Sequence, residues 1–78
     1  MKALGWIDGA PDGANALALG EILIEAEPAS LRELARFVVH AAEEMERMGS
    51  AYDHMHFRDV SAACRDTWPE IVILRERV

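Results

Sequence analysis

Cysteine is almost missing from this sequence: Cys64 stands alone, so no disulfide can close within the 78 residues. A chain this short has a small core that must be held by close packing or by a partner. A lone thiol also fits a reducing compartment better than a secreted, disulfide-stapled scaffold, and the expected location is cytoplasmic. Positive charge is scarce too, with 8 basic against 14 acidic residues and a formal net charge of -6. That balance argues against binding nucleic acid through its phosphates and suits a basic protein partner. No apolar run approaches the roughly 20 residues of a membrane span. The opening MKALGWIDGAPDG turns acidic and glycine-rich too soon for a signal peptide. There is no internal repeat and no linker, and residues 1–78 are expected to form a single domain.

What is present is enough apolar material to fold, at 51% of residues. Ala3 to Ile7 reads as a first strand, followed by the turn-rich DGAPDGAN. In LALGEILIEAE, Ile22, Ile24 and Ala26 alternate with Glu21, Leu23, Glu25 and Glu27, the period of two that marks a half-buried second strand. These two strands are expected to form a hairpin. From Pro28 to Met48 the period lengthens: Leu31, Leu34, Ala35, Val38, Ala41, Ala42, Met45 and Met48 recur at helical spacing. The helix starts either at Ser30, with Glu33 completing a capping box, or earlier, with Pro28 as its first residue after Glu27. Gly49 stops it. The polar side keeps Arg32, Glu33, Arg36, His40, Glu43 and Arg47 in water, with a weak Glu43–Arg47 pair.

HMHFRDV reads as a third strand and EIVILRERV as a fourth, apolar on both faces and so central. SAACRDTWP between them has room for one helical turn begun by Ser61. The expected fold class is α+β: a ββαββ two-layer sandwich whose four-stranded, mainly antiparallel sheet, in the order 1-2-4-3, carries one long helix on one face.

Within AYDHMHFRD, strand alternation sends Met55 and Phe57 under the helix, and His54, His56 and Arg58 to the uncovered face. Two imidazoles at that spacing supply two of the three or four ligands a zinc site needs. Asp53 and Asp59 project elsewhere and Cys64 lies at no diagnostic distance, so no metal and no cofactor is expected, and a metal-dependent activity at His54 and His56 is a distant alternative. Nor is a catalytic set complete. Cys64 has no histidine at fixed spacing, no second carboxylate stands beside a strand-two glutamate, and DGAPDG lacks the lysine of a phosphate loop. The chain is expected not to be an enzyme. The open side of the sheet instead gathers Glu21, Leu23, Glu25, His54, His56 and Arg58 with one apolar pair of strand four, a mixture typical of a protein interface. Trp6 and Trp68 are the large anchors, at least one of them for the core.

The succession of ILIEAEP, the helix EPASLRELARFVVHAAEEME, the AYDHMHFRD segment and WPEIVILRE resembles the immunity proteins of bacterial polymorphic toxin systems, and most of all the immunity protein 32 family. The likeness runs from about Gly20 to Arg75; its most distinctive pieces are His54 to His56 and Trp68-Pro69-Glu70. It implies stoichiometric neutralisation of a cognate toxin protein. The competing reading from the residues is a small homodimer of regulatory or housekeeping role, paired through the open face or an edge strand.

Overall fold

The computed structural model describes residues 1–61 and 68–76. The fold is α+β, with one long helix and two small antiparallel sheets. β1 (Leu4–Gly5) pairs with β2 (Leu17–Ala18), then come α1 (Pro28–Met48), a 3-10 turn (Gly49–Ala51), β3 (His54–His56), the short α2 (Phe57–Val60) and β4 (Val72–Leu74). Cys64, and the helical turn expected after Ser61, lie outside the described residues.

α1 begins at Pro28, whose fixed φ suits a first helical position; Glu27 precedes it in extended conformation and its carbonyl accepts the Leu31 N–H at 3.0 Å. The Ser30–Glu33 capping box is therefore not used as a start. At the other end Gly49 turns the chain at φ +56°, a conformation that favours glycine. Two carbonyls at this end, each already accepting a backbone N–H, receive a second donor from far along the chain. The Arg75 guanidinium donates to Met45 O at 2.5 Å and to Gly49 O at 3.0 Å, a cation where the helix dipole favours one. The weak pair near this end is Arg47 with Glu44, three residues back, and not with Glu43.

The buried side of α1 carries Phe37 and Ala41, with Leu34 partly buried beside them. Phe37 meets Phe57 at a ring-centroid distance of 5.0 Å, and Phe57 meets Trp68 edge-on at 5.9 Å. Met55, Ile71 and Ile73 close the cluster. Met55 and Phe57 do face the helix, as strand alternation requires, and Trp68 is the core tryptophan, while Trp6 is 63% exposed. The expected helix stripe is corrected in part: Leu31, Ala35, Val38 and Ala42 are exposed, because the face that packs is centred on Phe37, some 120° round the helix from Leu31.

The four-stranded sheet does not form. β1 and β2 pair at one place and β3 and β4 at another, two sheets of two strands. The expected first hairpin is there, but its second strand is Leu17–Ala18, and residues 21–27 are in no strand, with Ile22, Leu23 and Ile24 exposed. A period of two makes a segment able to be a strand. A strand also needs a neighbour to hydrogen-bond with, and here β4 pairs with β3 alone among the described strands, so it is not central. The third strand stops at His56, because the chain coils at Phe57 into α2, whose first N–H donates to Ile71 O at 2.8 Å.

Two of the polar residues expected in water on α1 are half-buried, Glu33 and His40. Glu33 pairs with Arg36 and its Oε2 accepts the hydroxyl of the buried Ser61 at 3.1 Å, joining α1 to the end of α2. The Arg36 guanidinium, and then the Ser61 hydroxyl, hold the Glu33 carboxyl below its ordinary value of 4.5. A depressed folded value means that the stabilisation is fully present above pH 4.5 and is lost as pH falls through the folded value. Glu33→Gln is accordingly expected to lower the melting temperature at pH 7 and to flatten the acid limb of stability, so that wild-type and variant melts converge as the pH falls below 4.5; curves that stay parallel would exclude this role for Glu33.

Candidate functional site

The β3–β4 ribbon has one face against the core and one open. Its register sets Met55 opposite Ile73 on the core side, and His54 opposite Leu74 and His56 opposite Val72 on the other. Alternation along both strands thus gives the open face two histidines and two aliphatic side chains, with Val72 39% and Leu74 59% exposed. The imidazole rings lie edge to face, their centroids 4.9 Å apart.

Each ring is backed by a carboxylate. His54 Nδ1 stands 2.5 Å from Asp53 Oδ2, and His56 Nδ1 3.3 Å from Glu70 Oε2. A carboxylate can only accept, so each Nδ1 is the donor. In the neutral ring Nε2 is then the acceptor. Asp53 thus does not project away from the histidines as strand alternation implied; a side chain next in sequence can swing onto its neighbour at the strand's start.

Glu70 organises this corner, and spacing alone gave no sign of it. Its Oε1 accepts the N–H of Ile71 at 3.0 Å and lies 3.4 Å from the N–H of Arg58 in the first turn of α2, while Oε2 holds His56. A carboxylate with several partners from three segments is pre-positioned. The one signal that reached it was the Trp68-Pro69-Glu70 stretch.

Of the six residues expected on a partner-binding face, His54 and His56 lie together on β3, and Glu70 links His56 to the backbone N–H of Arg58 in α2. Glu21, Leu23 and Glu25 are exposed, Leu23 at 88%, but on the extended segment before α1 and not on a sheet. Val72 and Leu74 take the places expected for the open apolar pair of the last strand. Among the described residues no group of three or more His, Cys, Asp or Glu side chains is arranged to hold a metal ion. No helix among them is long and apolar enough to cross a membrane.

No curated protein and no solved structure matches the chain. The family model described as Immunity protein 32 matches residues 21–76, which takes in α1, the whole β3–β4 ribbon and Glu70, and the chain belongs to that family.

Proposed function

We propose that the chain neutralises a cognate bacterial toxin in the cytoplasm by binding it one to one, and that it performs no reaction of its own. The observation that carries this reading, beside family membership, is the open face of the β3–β4 ribbon. There His54, His56, Val72 and Leu74 form a mixed polar and apolar surface, edged by Asp53, Glu70 and Arg58. The apolar pair supplies area to bury, and the outward Nε2 atoms supply directional acceptors for donors on the toxin. Neutralisation would follow from occlusion of the toxin's working surface.

Glu21, Leu23 and Glu25 extend the proposed surface along the segment that precedes α1. The two glutamates add to the overall charge of -6 and draw in a basic partner from a distance. Reversing both to lysine is expected to slow association about three- to tenfold at low salt with little change in dissociation, because steering acts on the encounter. Stopped-flow mixing across a salt series reads this directly, and an unchanged on-rate would remove the two glutamates from the reading. The test of the function itself is co-expression with the toxin domain encoded beside this chain's gene, together with titration of the two purified proteins. Rescue of growth and a one-to-one complex are expected; no rescue and no complex at micromolar concentration would overturn the proposal.

A further inference from the structure

The free chain exposes 6614 Å² of surface, where a compact monomer of its mass exposes about 4,700 Å². The difference is roughly 1,900 Å², more than twice the roughly 800 Å² that one partner contributes to an interface of standard size. The exposed segment before α1, with Trp6, Ile7 and Leu23, contributes to this excess beside the proposed toxin-binding ribbon.

A second apolar surface lies on α1, away from Phe37. Leu31, Ala35, Val38 and Ala42 fall at intervals of four, three and four residues, so they line one face over three turns, and Val39 widens it. All five are exposed, Leu31 at 43%, Val38 at 48% and Val39 at 56%. Ala35 and Ala42 are small enough to let another backbone approach closely. The charges beside this stripe are sorted along the helix: Arg32 and Arg36 flank its first half, Glu43 and Glu46 its second, and all four are exposed.

That sorting identifies the occupant. We infer that the stripe is a dimer interface in which α1 packs antiparallel on α1 of a second copy about a twofold axis near Val38. In an antiparallel pair the same flank of each helix faces its own reverse, so Arg32 and Arg36 of one copy meet Glu43 and Glu46 of the other, twice over. In a parallel pair this flank would face the opposite flank of the partner helix, which carries Leu34, Ala41 and Met45, and the arginines and glutamates would find no charged partners. The intrachain pair of Arg36 with Glu33 lies at the surface and is weak enough to give way. This interface goes beyond the toxin-binding reading and does not depend on it, since the β3–β4 open face is left clear.

The test is the mass of the whole chain by sedimentation and light scattering from about 1 to 100 µM, a range that covers micromolar affinities, the weak end for interfaces of standard size. A concentration-dependent dimer is expected, and a monomer throughout would overturn the inference. Val38→Glu, a change at an exposed position checked for unchanged circular dichroism, is expected to yield monomers; a dimer that survives it would mean that another face pairs. The charge contacts are read from two variants, one with Arg32 and Arg36 changed to glutamate, the other with Glu43 and Glu46 changed to arginine. Each alone is expected to dimerise at least tenfold more weakly than wild type, and a mixture of the two to form the heterodimer in preference to either homodimer. Equal pairing in the mixture would overturn the charge contacts on which the arrangement rests.

Discussion

Phe57→Ala is expected to leave the protein largely unfolded at room temperature. Phe57 is 1% exposed and sits between Phe37 of α1 and Trp68, so truncation removes both ring contacts and opens a cavity that three separate segments would have to close. Losses of this kind run to about 3 to 5 kcal/mol. A single core in a chain of this length supplies no more than about that in total. The neighbouring change His56→Ala takes away one long hydrogen bond to Glu70 at the surface, and is expected to cost less than about 1 kcal/mol. Urea melts of the two variants, followed by far-ultraviolet circular dichroism, separate them: a missing transition for the first and a slightly shifted one for the second. Equal losses would mean that the ribbon's faces are the reverse of those described.

Substitutions on the open face should show the opposite pattern, with stability kept and partner binding lost. Leu74→Ala is expected to raise the rate of toxin release about thirtyfold, equivalent to about 2 kcal/mol, because an aliphatic side chain at the centre of a docked face excludes water from the polar contacts around it. Leu23→Ala and Arg58→Ala should act in the same direction and less strongly if the docked surface reaches both sides of the ribbon. Leu4→Ala is the control, since Leu4 is also 58% exposed but lies on β1, outside the family-matched residues. Biolayer interferometry against the adjacent toxin domain reads all four rates. A release rate for Leu74→Ala equal to that of the control would place the contact elsewhere on the chain.

Much of the architecture was legible from spacing because the signals were local. Pro28, Gly49 and the apolar positions between them bound α1, and alternation through His54, Met55, His56 and Phe57 assigned each side chain to its face even though the chain leaves the strand at Phe57. The sheet was misread where the deciding fact was distant. Ile22 and Ile24 alternate as a strand requires, yet alternation does not reveal whether another backbone lies alongside. The helix stripe was ambiguous for a different reason. α1 is apolar around much of its girth, so one row through Leu31 and another through Leu34, Phe37 and Ala41 both keep helical spacing; side-chain volume decides, and Phe37 has the most to gain from burial. The site followed the same division. A period of two put His54 and His56 on one face but does not extend to Arg58, which lies in α2, and Glu70 acts across a separation of 14 residues that no local pattern encodes.

Every fully buried residue among those described lies beyond Pro28: Phe37, Ala41, Tyr52, Phe57 and Ser61. The preceding part is held by the short β1–β2 ladder, prolonged by Leu19 N–H to Ala3 O at 2.9 Å, and by a few loop hydrogen bonds, such as Ala10 N–H to Ile7 O at 2.9 Å and the Trp6 indole N–H to Ala14 O at 2.7 Å. Amide hydrogens before residue 28 are therefore expected to exchange with solvent deuterium through frequent local opening, while those around Phe37 and Ala41 wait for the global event. The same division uncouples the two parts in folding. Joining Phe37 to Phe57 closes a loop of about 20 residues, a modest entropic barrier, and the ladder near the start can zip before or after that step without changing its rate.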